Sequence, residues 1–218
     1  MKIAALQMLS EDLVERGFLI ETRAPSTSKA GHNTVIEVGN TASLDGGELF
    51  IESSAAHYLE TLRQDRLSWL LFDASIVQML YHMRGNRITF HRYAYFPAPF
   101  DIDLRAGTEA GLMELIEGAS SNAPEHAPRR SSLRFEFDPK AQAQDHAAAH
   151  LHINTPDCRL PMRGPLTVKE FVSFLVRYFY ANAFSPDICG PTVFEENPTI
   201  SDDEVRNFHL GWRRAADI

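Results

Sequence analysis

The chain has 218 residues, with 21 basic and 29 acidic side chains and a formal net charge of −8. The composition is that of an ordinary globular protein, and the negative charge argues against sequence-independent nucleic-acid binding, which needs a basic surface. No apolar run reaches the ~20 residues that span a bilayer, and the N-terminal segment turns acidic too early for a signal peptide. Cys158 and Cys189 form no C-x-x-C pair. We therefore expect a cytoplasmic protein with reduced thiols and no membrane partner.

Several common enzyme motifs are absent from the sequence. There is no phosphate-binding G-x-x-x-x-G-K-[ST] loop, no H-E-x-x-H zinc protease motif, no G-x-S-x-G esterase motif and no G-x-G-x-x-G dinucleotide motif. Their absence argues against P-loop hydrolases, zincin proteases, common esterases and Rossmann oxidoreductases.

The first third of the chain begins with a helical pattern. Leu6, Leu9 and Leu13 recur at near-helical spacing, and Gly17 fits a helix C-cap. The patterns predict, in chain order, a helix over 2–17, a loop over 23–34, two short strands within 35–52 and a helix over 54–66.

The clearest element is a β-hairpin from Trp69 to Phe96. Gly85 and Asn86 suit a two-residue turn because both tolerate positive φ. Pairing Met83 with Ile88 and continuing the alternation gives one apolar face and one polar face. The apolar face holds Val77, Met79, Tyr81, Met83, Ile88, Phe90, Ala94 and Phe96, with Arg92 as its exception. The polar face holds Ile76, Gln78, Leu80, His82, Thr89, His91, Tyr93 and Tyr95.

The second half predicts further strands and helices. Thr167 and Glu170 have the spacing of a capping box, which opens an amphipathic helix. In chain order we predict a short helix over 108–117, a polar loop over 118–132, strands over 133–138 and 150–154, and helices over 168–181 and 202–216. We therefore expect one α+β domain over residues 1–218. It has a curved, mostly antiparallel sheet of four to six strands with helices on one face, and helix 202–216 as an appendage.

If these strands form one sheet, their polar positions gather on one surface. Four of the nine histidines lie at such positions, and histidine titrates near neutral pH. The candidate binding residues are Gln78, His91, Tyr93, Tyr95, Arg134, Glu136, His150, His152 and Asn154.

Three interpretations of this surface stay open. His150 and His152 lie two residues apart on one strand face, so they bind a metal ion if His91 or Glu136 supplies a third ligand. Alternatively, His91 and His150 or His152 act as acid and base on a phosphodiester, with Arg134 or Arg92 neutralising the phosphate. In the third, these side chains make ordinary structural hydrogen bonds. We assign no metal or cofactor at this point.

Several blocks of the sequence resemble a bacterial family known as a conserved domain of unknown function, over about residues 55–185. The blocks are 73–78, 91–97, 150–154, 159–161 and the helix at 171–180. Ala74 stands where we expect a glycine in an Asp-Gly-Ser turn. The resemblance implies that the blocks form one module, and it implies no activity.

We expect an interaction or ligand-binding module that uses the polar face. Its expected partner is a protein, and a bacterial defence-type system is the setting that small families of this kind suggest. The alternative is a histidine-dependent phosphodiesterase, ribonuclease or nucleotide-acting enzyme, with nucleic acid or nucleotide as the partner. These hypotheses depend on His91, His150 and His152 lying together.

Overall fold

A computed structural model describes residues 3–41, 55–106, 111–122, 131–143, 146–185, 188–189, 198–206 and 209–211. The helices are α1 (Ile3–Glu15), α2 (Ala55–Arg63), α3 (Leu112–Ser121), α4 (Val168–Phe179) and α5 (Asp202–Arg206). The strands are β1 (Leu19–Thr22), β2 (Pro25–Ala30), β3 (Asn33–Val38), β4 (Trp69–Leu71), β5 (Ile76–Arg84), β6 (Arg87–Phe96), β7 (Leu133–Phe137), β8 (Ala149–Ile153) and β9 (Thr155–Pro161). Among the described residues, no helix combines the length and apolar character needed to cross a bilayer. Most of the polar loop predicted over 118–132 lies outside the described residues. The same is true of the second of the two strands predicted within 35–52.

The fold is α+β, as predicted, with one antiparallel sheet. Its order is β1-β4-β5-β6-β7-β8-β9, and β3 joins the edge of β5 beside β4 while pairing with β2 on its other side. The described part of the chain thus forms nine strands, so the prediction of four to six strands is wrong. The segment 25–30 was predicted as loop because its side chains are mostly polar, and they are mostly exposed in the edge strand β2.

One face of the sheet carries α1 and α4. Phe171 of α4 packs against Tyr93 and Phe135, with ring centroids 5.4 and 5.6 Å apart. The predicted capping box is present: Thr167 accepts a hydrogen bond from the Glu170 backbone, and the Glu170 side chain accepts one from the Thr167 backbone. This satisfies backbone N–H groups at the start of the helix.

The opposite face carries α2 and α3 over part of its area. This second hydrophobic cluster includes Tyr58, Leu62 and Ile116 from the helices and Leu70, Ile76, Ala94 and Phe96 from the strands. Helices therefore pack on both faces, and the prediction that they lie on one face is wrong. The reason is that, where β4, β5 and β6 pair with one another, the side chains on both faces of the sheet are mostly apolar.

A β-bulge changes which side chains share a face of the hairpin. Met83 pairs with Ile88 as predicted, but His82 pairs with Phe90, so Thr89 is an extra residue. Because one extra residue reverses the alternation beyond it, the later half of β6 faces the opposite way from the prediction. His91, Tyr93 and Tyr95 lie with Val77, Met79 and Tyr81 on the α4 side.

The turn before β5 has an unusual backbone. Ala74 has φ of 61°, the left-handed conformation that favours glycine. The Tyr58 hydroxyl of α2 donates a hydrogen bond to the Ala74 carbonyl. The alanine therefore occupies the conformation for which the sequence comparison led us to expect glycine.

The C-terminal helix is shorter than predicted. The described helix covers Asp202–Arg206, residues 207–208 and 212–216 of the predicted helix lie outside the described residues, and Leu210 pairs with Met162, next to β9. The Leu210 N–H donates to the Pro161 carbonyl at 2.8 Å. The predicted helix over 202–216 is therefore wrong at residues 209–211, because their backbone bonds to the sheet region.

Candidate functional site

Two neighbouring strands bring four predicted polar residues together. In the β7–β8 register, Glu136 lies opposite His150 and Arg134 lies opposite His152. Directly opposed residues of an antiparallel pair share a face, and this face is the one away from α1 and α4. Arg92 of β6 pairs with Glu136 and joins the same group.

The central contacts join two imidazoles and one carboxylate. The Nε2 atoms of His150 and His152 are 2.9 Å apart. Glu136 Oε2 lies 3.3 Å from His150 Nε2 and 3.5 Å from His152 Nε2. We call these three residues the Glu136–His150–His152 cluster; their ligand-capable atoms all lie within 4.8 Å of one another.

The backbone fixes the tautomer of His150. Its Nδ1 lies 2.8 Å from the Ala147 carbonyl oxygen. A carbonyl only accepts hydrogen bonds, so Nδ1 carries a proton and Nε2 faces the cluster, where it donates to Glu136 when protonated and offers its lone pair to a metal ion when unprotonated. Metal-binding histidines are oriented by this kind of outer contact. His150 is only 1% exposed, so the ring has little freedom to turn.

Arginines hold the other oxygen of Glu136. Oε1 lies 2.7 Å from Arg134 Nε and 3.3 Å from Arg92 Nε. Burial alone raises the pKa of Glu136, but the hydrogen bonds with His150 and His152, and then the two arginine charges, hold that pKa far below its usual range. The carboxylate is therefore ionised, and Oε2 is the oxygen that faces the imidazoles.

His146 and Arg159 lie at the rim of the cluster. The Nε2 atom of His146 is 3.4 Å from His150 Nε2, and its ring is half-buried. Arg159 of β9 is exposed and lies opposite His152 on the same face. Neither residue was among the candidates predicted from the sequence. The four-residue spacing of His146 and His150 is the sequence signal that could have indicated His146. The position of Arg159 beside His152 follows only from the pairing of β8 with β9.

Three predicted site residues lie on the other side of the sheet. His91 accepts a hydrogen bond from the Leu166 N–H at 3.0 Å and stacks on Tyr93 at 4.5 Å between centroids. Tyr95 is also fully buried, with its hydroxyl 2.8 Å from the Tyr180 hydroxyl. The prediction that His91 shares a face with His150 and His152 is wrong because of the bulge at Thr89. The acid–base scheme that pairs His91 with either residue fails for the same reason.

Gln78 and Asn154 have local bonding roles. Gln78 is on the cluster's face but two strands away from Arg134, and it donates to the Arg66 carbonyl at 2.6 Å. Asn154, at the β8–β9 turn, has φ of 59° and accepts a hydrogen bond from the Ser132 N–H at 3.0 Å. These contacts join neighbouring segments of the fold.

Residues 19–212 match the model of an uncharacterized conserved protein family, DUF2290. The chain belongs to the DUF2290 family. The predicted resemblance to a family of unknown function is thereby confirmed, over a longer region than 55–185, and the DUF2290 region contains the whole cluster. No curated protein and no solved structure matches the chain.

Proposed function

We propose that this protein is a ligand-binding module whose cluster of Glu136, His150 and His152 holds a divalent transition-metal ion. The observation that carries the proposal is the convergence of two imidazole nitrogens and one carboxylate oxygen at separations of 2.9, 3.3 and 3.5 Å. Around an ion with bonds of about 2.1 Å, neighbouring ligands lie roughly 3.0–3.4 Å apart. The side chains therefore need only small movements to bind the ion.

The donor set indicates which ions fit. Two histidines and one carboxylate are typical of catalytic zinc sites and of non-haem iron(II) sites, both of which keep open positions. Arginines occupy Oε1 of Glu136, so this carboxylate would bind through Oε2 alone. Three protein ligands leave room for water or a substrate, and a bound ion would polarise such a group.

The other expectations from the sequence stay predictions. They are a protein partner, a defence-type setting and, as the alternative function, a phosphodiester- or nucleotide-acting enzyme. A metal site is compatible with a phosphodiester- or nucleotide-acting enzyme, because a bound metal ion would take the place of the acid–base pair that His91 was expected to complete.

Calorimetric titration of zinc into metal-free protein without a histidine tag tests the proposal. We expect one tight site in the wild type. The variant with His150→Ala and His152→Ala should lose it, because one carboxylate remains. Glu136→Gln keeps the shape but removes the anionic ligand, and we expect its affinity to fall by at least the ~10–100-fold that loss of an outer-shell partner costs.

The matched control is His32→Ala, since His32 is an exposed imidazole in the β2–β3 turn. Its zinc affinity should equal that of the wild type. Circular dichroism checks that each variant is folded. Zinc binding by wild type no tighter than by a folded Glu136→Gln variant would contradict the proposal.

A further inference from the structure

We infer that an ion held by the Glu136–His150–His152 cluster binds a phosphate group, one of whose oxygens contacts the ion while another contacts Arg159. This inference rests on the proposed metal site and names the class of its ligand. Its evidence is the position of Arg159 and the charge around the cluster.

Arg159 stands beside the cluster on the same face. It lies opposite His152 in the β8–β9 ladder, and opposed Cα atoms in such a pair are about 4.5–5.5 Å apart. Its positive charge acts on both Arg134 and His146. The register of β8 and β9 places Arg159 next to His152 on the face that carries the cluster.

The guanidinium of Arg159 is available to a ligand. The residue is exposed, and within the part of the chain that the structure describes it makes no hydrogen bond or ion pair. An exposed arginine is ordinary by itself. Here it stands beside the three candidate metal ligands, so one ligand could contact both the ion and the guanidinium.

The charges around the cluster favour an anion of more than one charge. Arg92 and Arg134 contact Glu136, the single carboxylate of the cluster, and Arg159 lies opposite His152 on the same face. A bound divalent ion would add two positive charges to this site. Clustered charges need compensation when they are partly buried. A phosphate group brings up to two negative charges and several oxygens, and arginine matches its geometry with paired donors.

The test is calorimetric titration of inorganic phosphate into protein loaded with one equivalent of zinc and then desalted. We expect Arg159→Ala to weaken phosphate binding about 10-fold, the effect of losing a hydrogen bond to a charged group, and to leave zinc affinity within about twofold. Arg177→Ala is the matched control, since Arg177 is an exposed arginine of α4, on the opposite side of the sheet. It should bind phosphate like the wild type.

Three outcomes would overturn the inference or its basis. Equal phosphate affinity in Arg159→Ala and Arg177→Ala, with zinc still bound, overturns the inference and leaves the metal site standing. Tighter binding of acetate than of phosphate at equal ionic strength overturns the choice of phosphate over carboxylate. Absence of zinc binding in the preceding titration overturns the proposed function itself.

Discussion

At the scale of single residues, His91 shows how burial decides the role of a histidine. Its side chain is fully buried, and its Nε2 accepts a hydrogen bond from the backbone N–H of Leu166. Burial lowers the pKa of His91 to about 3, although hydrogen bonding to Phe135 and the charge of Glu136 act in the opposite direction. The imidazole is therefore a neutral part of the core in the folded protein.

This burial predicts a pH dependence of stability. Between pH of about 6.5 and 3, the unfolded chain binds a proton at His91 that the folded protein does not bind. The free energy of unfolding therefore falls as the pH decreases through this range, by up to about 1.4 kcal/mol per pH unit from this group. Above pH of about 6.5 the contribution is constant.

Urea denaturation at several pH values measures the effect. His91→Gln keeps an acceptor near the Leu166 N–H but has no group to protonate, so its stability should fall less steeply below pH 6.5. His32→Gln, at an exposed histidine, should follow the wild type. A His91→Gln variant with the slope of the wild type would show that His91 is not the group responsible.

At the scale of elements, local signals in the sequence predicted what local interactions determine. The Gly85-Asn86 turn, the capping box at Thr167 and the strands β7 and β8 all follow from a few neighbouring residues. The bulge at Thr89 cannot be predicted from neighbouring residues. Strict alternation through 88–96 gives an equally consistent assignment of side chains to the two faces of β6 until the pairing with β7 is known. Because strict alternation ignores this one extra residue, it predicted that His91, Tyr93 and Tyr95 lie on the same face as the cluster.

The C-terminal end of α4 is joined to the turn before β5 by a buried hydroxyl. Tyr180, the C-cap residue, donates to Asp73 Oδ2 at 3.0 Å, and its oxygen lies 2.8 Å from the Tyr95 hydroxyl. Tyr180→Phe leaves these polar groups without that partner in a buried region. We expect the free energy of unfolding to fall by about 1–3 kcal/mol.

Tyr178→Phe is the matched control for this prediction. Tyr178 is two residues away on the same helix and 67% exposed, so loss of its hydroxyl should change stability by less than about 0.5 kcal/mol. Chemical denaturation of both variants gives the comparison. Equal losses in the two variants would contradict the structural role given to the Tyr180 hydroxyl.

At the scale of the whole molecule, the sheet separates two kinds of environment. On its α1 and α4 side the hydrophobic core draws buried side chains from β1, β3 and β4 to β8, whereas the other side is apolar under α2 and α3 and carries the polar group on β6 to β9. The sequence predicted the class of fold and four members of the polar group. It did not predict nine strands or helices on both faces, because those depend on pairings between distant segments such as β3 with β5.

The most direct test of the central claim is anomalous X-ray diffraction from crystals of the tag-free protein grown with zinc. We expect one strong peak at about 2.0–2.2 Å from His150 Nε2, His152 Nε2 and Glu136 Oε2. The same crystals of the His150→Ala, His152→Ala variant should lack that peak. Zinc found only on exposed histidines such as His32, with the three cluster side chains still in direct contact with one another, would contradict the proposed metal site.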